Sequence, residues 1–165
     1  MNKDGTLTLA EVAAAVADDP SPEARELCIR RIRHWGSHGV LETAGEVFTG
    51  TGRYRRFAPE TTYTAKVLLR LADAGFTLGQ LKVAALTIAV SRATSQNTAD
   101  LWDAAIKGPT ERRIIARFGV DGGANRRPPV LSFVLRSDAP IEPPAPHERL
   151  VIAIDLTRAF SEIRL

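Results

Sequence analysis

The chain has 165 residues, of which 44% are apolar and 25% are charged, which is the composition of a folded globular protein and not of a disordered or collagen-like chain. Its length fits one domain, or a compact module with a short second unit. The net charge is only +3. No apolar run approaches the roughly 20 residues that span a bilayer, and the sequence shows no signal-peptide core. These features predict a cytoplasmic protein without a membrane partner.

The first predicted helix spans about residues 8–17. Thr8 suits the N-cap, and Glu11 three residues later completes a capping box before an apolar run. A break rich in aspartate and proline follows. Ser21 and Pro22 then predict the start of a second helix, because serine caps helices well and proline is favoured at the first helical position.

The second helix has an apolar side and a basic side. Its apolar residues recur at near-helical spacing, and they are Leu27, Ile29, Ile32 and Trp35. The remaining faces carry Arg30, Arg31, Arg33 and His34. Gly36 and Gly39 predict that the helix ends around residues 35–38.

A β-like stretch follows the second helix. Two short strands, at residues 46–48 and 54–57, flank a loop that contains glycine, and they predict a hairpin. A third helix is predicted over about residues 59–74, with Gly75 as the residue that stops it. Thr77 predicts the N-cap of a fourth helix.

The last third of the chain is predicted to alternate between helix and strand. A fifth helix is expected over about residues 96–107, and a further short helix over 110–118. The glycines and prolines of residues 120–129 predict a linker. Beyond it, residues 130–135 and 150–154 are apolar runs of strand length that predict a hairpin.

The chain is predicted to close with a short helix that Asp155 or Thr157 caps. These elements together predict a mainly α protein with a small β component. We expect an N-terminal domain at residues 1–90, a helical connector at 91–120, and a small C-terminal β-hairpin and helix unit at 121–165.

Four segments carry a resemblance to a known family. Residues 8–13 (TLAEVA) match its opening helix, residues 32–41 (IRHWGSHGVL) match the end of its recognition helix, and residues 54–57 (YRRF) match its wing strand. Residues 71–81 (LADAGFTLGQL) match its Gly-Phe-Ser-Leu turn before the next helix. In this order, the segments resemble the MerR family of winged helix-turn-helix transcription regulators over about residues 7–90.

The resemblance implies that residues 1–90 bind double-stranded DNA in a sequence-specific manner. It places Arg33 and His34 toward DNA and Trp35 in the core. Arginine supplies a planar fork that suits guanine and phosphate oxygens, and the wing is expected to hold the DNA backbone. The predicted DNA-binding residues are Arg30, Arg31, Arg33, His34, Tyr54, Arg55 and Arg56.

We expect a homodimer, because two recognition helices reading two half-sites give affinity and symmetry that one module rarely reaches. The C-terminal half lacks the long apolar heptad helix through which most family members pair. Residues 121–165 are instead expected to serve dimerisation or signal input. RNA polymerase or another regulator is a possible partner, and a DNA partner implies association with the nucleoid.

Two alternative functions fit the same fold. One is an architectural or recombination-directionality factor that bends DNA without an effector. The other is an adaptor that binds a protein partner. An enzyme is not predicted, since the sequence contains no nucleophile motif, phosphate loop or convincing pair of acids.

No cofactor or metal is predicted. Residues 2–7 with Glu11 match part of an EF-hand calcium loop, but the loop's first ligand and entering helix are lacking. His34 and His38 stand four residues apart with Cys28 upstream, a spacing that binds zinc on a helix, but the nearby glycines disfavour continued helix there. Cys28 is predicted to be a small buried apolar residue.

Overall fold

The computed structural model describes residues 5–44, 55–107, 113–119, 130–134 and 148–163. Within these ranges the protein is mainly helical, with two small sheets. In chain order the elements are β1 (Leu7–Thr8), α1 (Leu9–Val16), α2 (Pro22–Ser37), β2 (Arg56–Phe57), α3 (Thr61–Asp73), α4 (Leu78–Thr94), α5 (Gln96–Lys107), β3 (Arg113–Gly119), β4 (Val130–Val134), β5 (Glu148–Asp155) and α6 (Leu156–Ser161). No helix in the described ranges is both long and apolar enough to cross a membrane.

The caps of the first two helices confirm the sequence prediction. The Thr8 hydroxyl accepts a hydrogen bond from the Glu11 backbone N–H at 3.2 Å, and the Glu11 carboxylate accepts one from the Thr8 N–H at 2.7 Å. Ser21 accepts from the Ala24 N–H at 3.3 Å, with Pro22 at the first helical position. Each cap satisfies backbone donors that have no partner inside the helix.

Helices α1 and α2 pack against each other across the turn at residues 17–21. The chain after α2 returns to α1, because β2 pairs antiparallel with β1 and places Phe57 opposite Leu7. Of the predicted wing hairpin, the strand at residues 46–48 and Tyr54 lie outside the described residues, as does the predicted linker at residues 120–129.

The third and fourth helices follow as predicted. Gly75 has a φ of +92°, a left-handed conformation that favours glycine, and the Phe76 N–H reaches back to the Leu71 carbonyl at 3.1 Å. Thr77 then forms a second capping box with Gln80. The helix predicted at residues 96–107 matches α5.

Two predictions for the C-terminal region are wrong. Residues 110–118 were expected to form a helix, but β3 is a strand, and it lies between β4 and β5 in an antiparallel sheet. The expected hairpin of the two apolar runs is therefore absent from this sheet, since each run pairs with β3 instead. The adjacent β-branched residues Ile114 and Ile115 in β3 suit a strand better than a helix.

Helix α6 packs into the same core as the N-terminal helices. Asp155 caps it by accepting from the Arg158 N–H at 2.9 Å, which resolves the choice between Asp155 and Thr157. The Phe160 ring packs edge-on against Tyr63 of α3 at 4.9 Å and Trp102 of α5 at 5.0 Å. The core thus joins the first and last described helices.

An ion cluster beside this core holds a fully buried lysine. The Lys66 side chain is 0% exposed, and its ammonium contacts Glu162 at 3.0 Å, the carboxylate of Asp18, and the Val16 carbonyl at 3.1 Å. Arg70 contacts Asp18 at 3.0 Å and Glu162 at 2.6 Å. The cluster therefore links the turn after α1, helix α3 and the residue after α6.

We predict that removing the two acids destabilises the fold more than removing the lysine. Asp18→Asn with Glu162→Gln leaves a buried ammonium without a countercharge, and it should lower the free energy of unfolding by about 3 kcal/mol. Lys66→Met keeps the volume and leaves both acids paired with Arg70, so it should cost about 1 kcal/mol or less. Urea unfolding followed by circular dichroism measures both, and an equal loss in the two variants would contradict this account.

We also predict a specific pH dependence from Glu11. The hydrogen bond from the Thr8 backbone N–H, then that from the Thr8 hydroxyl, and the nearby Arg56 charge lower the pKa of Glu11 from its ordinary value of 4.5. Its stabilising contribution is therefore complete above pH 4.5 and is lost as the pH falls through the lowered folded pKa. Glu11→Gln keeps an acceptor for the cap but cannot titrate, so its melting temperature should fall less between pH 5 and pH 3 than that of the wild type. Glu26→Gln, at an exposed position on α2, serves as the control and should keep the wild-type slope.

Candidate nucleic-acid interface

Helix α2 has one face in the core. Cys28, Ile32 and Trp35 are buried, and their spacing of four and three residues places them on one side of the helix. Leu27 was predicted to belong to this side, but it is 43% exposed. The prediction was wrong because, at about 100° per residue, Leu27 falls on a different side from Ile32 and Trp35, while Cys28 lies in line with them.

The opposite face of α2 is exposed and cationic in its C-terminal half. Arg30, Arg33 and His34 are all exposed, and their spacing of three and four residues makes them neighbours on the helix surface. In the part of the chain that the structure describes, none of the three forms an ion pair. The face is less cationic toward the N-terminal end, where Glu23 and Glu26 are also exposed.

Arg31 lies on the flank of the helix and has a partner. Its guanidinium contacts the Asp73 carboxylate at the end of α3 at 2.7 Å, with 32% of the Arg31 side chain exposed. The ion pair ties α2 to α3. Arg31 is therefore separate from the three exposed residues Arg30, Arg33 and His34, although all four are predicted DNA-binding residues.

Arg55 reaches α2 from the segment that leads into β2. Its Nη1 atom donates to the Arg33 carbonyl at 3.5 Å, and a Cβ atom on Gly36 would lie 3.2 Å from the same nitrogen. Gly36 therefore lies inside α2 and gives the guanidinium room to lie against the helix, whereas Gly39, with φ +64°, follows its end. The prediction that Gly36 helps to end α2 is therefore wrong; a glycine within a helix also marks the close approach of another group.

Arg56 and Tyr54 are placed differently from Arg55. Arg56 is half-buried opposite Thr8 in the β1–β2 pair, close enough to Glu11 to lower the pKa of that carboxyl. Its buried Nη1 atom has no hydrogen-bond partner among the residues that the structure describes. Tyr54 lies outside the described residues. Of the predicted wing residues, Arg55 is thus the one that the structure brings against α2.

The histidines at the end of α2 contact each other. The rings of His34 and His38 are 4.1 Å apart, and His38 Nδ1 lies 2.9 Å from the His34 carbonyl oxygen. Among the residues described, no group of three histidine, cysteine, aspartate or glutamate side chains is arranged to hold a metal ion. Cys28 is buried as predicted, and burial raises the pKa of its thiol.

Comparison with known proteins adds no family assignment. No protein-family model matches the chain, and a search of curated proteins finds no match. The resemblance to MerR regulators therefore rests on the four sequence segments.

Alanine at Gly36, inside α2, and at Gly39, beyond its end, should change the stability of the fold in opposite directions. Gly36→Ala removes the entropic cost of a glycine within a helix, and the far end of the flexible, half-buried Arg55 side chain can shift by the few tenths of an ångström required, so we expect a gain of about 0.5–1 kcal/mol in stability. Gly39→Ala forces a side chain into left-handed backbone and should lose about 1 kcal/mol. Urea unfolding of the two variants measures the difference, and a loss in both would mean that Arg55 is held too firmly to move.

Proposed function

We propose that this chain is a sequence-specific, double-stranded DNA-binding transcription regulator of MerR-like type. In this proposal α1 and α2 form a helix-turn-helix, α2 is the recognition helix, and the segment before β2 belongs to a wing. The supporting observation is one cationic surface that combines exposed residues of α2 with the half-buried Arg55 from a separate segment. We call it the cationic face; its residues are Arg30, Arg33, His34 and Arg55.

The chemistry of the cationic face suits a duplex. Arginine pairs in a bidentate manner with guanine O6 and N7 in the major groove, a groove wide enough to admit an α-helix. Arg30 and Arg33 point away from the core without a competing ion pair in the described residues, so they are available for such contacts. A further cation beside the helix, Arg55, is suited to a phosphate, which fixes the register of a recognition helix.

The remaining predicted residues take supporting roles in this proposal. Arg31 fixes the flank of α2 through Asp73, and Arg56 lies half-buried beside the cap of α1. Tyr54 stays a prediction. The proposal thus concentrates direct DNA contact on the cationic face.

The proposal implies a nucleoid-associated protein in the cytoplasm that acts without catalysis. Two copies bound to two half-sites give the symmetry that most operators share. RNA polymerase or another regulator is the partner through which such a protein affects transcription.

The test is duplex binding by fluorescence anisotropy across a salt series, with the upstream region of the gene and a scrambled duplex as probes. Arg33→Ala with Arg55→Ala should weaken binding about 30-fold or more at low salt and reduce the salt slope by about 2, because two phosphate or base contacts are lost. Lys107→Ala with Arg158→Ala removes the same charge from exposed positions on α5 and α6. This control should bind like the wild type.

Each outcome has a defined meaning. If the wild type and the control prefer the native duplex and the Arg33→Ala, Arg55→Ala variant loses this preference, the result supports a specific regulator. Equal binding to both duplexes favours the architectural function, since phosphate contacts alone carry no sequence information. If the folded wild type binds neither duplex, the proposal is wrong and the adaptor function is the next to test.

A further inference from the structure

Each flank of α2 carries one arginine. Arg55 lies on the side of Gly36, where a Cβ atom would stand 3.2 Å from its Nη1 atom. Arg31 lies five positions before Gly36, which at about 100° per residue places the two positions about 140° apart around the helix axis. Arg31 and Arg55 are therefore on opposite sides of the exposed face of α2, with Arg30 near its middle.

This arrangement matches the two walls of a DNA major groove. The groove is about 12 Å wide, and a helix with its side chains is about 10–12 Å across. A helix whose outer face points at the floor of the groove therefore has a phosphate backbone beside each flank. An arginine on each flank is suited to one phosphate of each strand, because the guanidinium fork matches phosphate oxygens.

Arg31 already holds an anion in the free protein. Its Nη1 atom donates to Oδ1 of Asp73 at 2.7 Å, and this is the one hydrogen bond of its side chain among the described residues. The Arg31 and Asp73 side chains are 32% and 49% exposed, and an ion pair at such exposure contributes little to stability. Arg31 can therefore leave this partner at small cost.

The position of Asp73 suits the contact with Arg31 and not its own helix. Asp73 is the last residue of α3, where the helix dipole favours cations and disfavours a carboxylate. Among the described residues, its one ion pair is with Arg31. The carboxylate therefore serves the flank of α2, where it supplies an anion that DNA would supply in a complex.

We propose that Arg31 exchanges Asp73 for a phosphate of the second DNA strand when α2 enters the major groove, so that Asp73 masks one cation of the site in the free protein. The inference rests on the proposed function and adds to it a contact and a limit on affinity. Arg55 binds one strand, Arg31 binds the other, and the residues between them face the bases. Because phosphates carry no sequence information, the exchange changes affinity and not sequence preference.

The masking is tested with Asp73→Asn in the anisotropy salt series. Asparagine keeps an oxygen that accepts a hydrogen bond from Arg31 but removes the countercharge. The variant should bind the native and the scrambled duplex about tenfold more tightly at low salt, with a salt slope steeper by about 1, because one more cation is available to neutralise a phosphate. If the ion pair served only to hold α2 in place, its loss would instead weaken binding, and that result would overturn the exchange.

Two further comparisons separate a contact through Arg31 from a general effect of charge. Asp103→Asn makes the same change at an exposed position on α5, and it should bind like the wild type. In an Arg31→Gln background, Asp73→Asn should change the affinity less than about threefold, since no arginine is there to release. Equal effects of Asp73→Asn in the two backgrounds would reflect only the removal of a negative charge near DNA and would contradict the exchange.

Failure of this inference and failure of the proposed function are separately observable. If the wild type binds a duplex through the cationic face and Asp73→Asn leaves its affinity and salt slope unchanged, the exchange is wrong and the proposed function stands. If the folded wild type binds neither duplex, both are wrong. Circular dichroism should show every variant to be folded, because Arg31, Asp73 and Asp103 are all at least partly exposed.

Discussion

The buried ammonium of Lys66 is the constraint on which the arrangement of the helices depends. A charge with no exposed surface costs several kcal/mol unless countercharges and hydrogen bonds surround it. Its two acids come from opposite ends of the chain, Asp18 after α1 and Glu162 after α6. The requirement to neutralise Lys66 therefore fixes the turn between α1 and α2 relative to α3, and it holds the C-terminal helix against the same core.

The cationic face takes its position from this arrangement. Helix α2 is held on its inner side by the core, on one flank by the ion pair of Arg31 with Asp73, and at its end by Arg55 beside Gly36. With its core side and flank held in this way, its remaining side must face outward. Arg30 and Arg33 lie there because, at about 100° per residue, they fall on the opposite side of the helix from Cys28, Ile32 and Trp35. The same sequence pattern thus positions both the buried side and the exposed charges.

Local signals in the sequence predicted local structure well. Both capping boxes and the left-handed Gly75 depend on residues within a few positions of one another, so their side chains specify them directly. The arrangement around Gly36 was missed because it depends on Arg55, 19 positions later. The partners of Lys66 lie 48 and 96 positions away, and the central place of β3 depends on pairing with two distant strands. No local pattern specifies such contacts. For the same reason, the sequence supplied candidate cations for the site but did not distinguish Arg31, which forms an ion pair with Asp73 on α3, from Arg33, whose guanidinium forms no ion pair among the described residues.

The C-terminal sheet is connected to the N-terminal helices through α6. Strand β5 runs directly into α6 at Asp155, whose carboxylate caps the helix. Glu162 follows α6 and contacts both Lys66 and Arg70. A partner or ligand that shifted β5 would therefore move Glu162, a countercharge of the buried lysine. The loss of this ion pair would destabilise α3, which carries Lys66, and the turn before α2, which carries Asp18. In the proposed regulator, signal input through the C-terminal region would act on the recognition helix through this cluster, because Asp18 and Glu162 both contact Lys66 and Arg70.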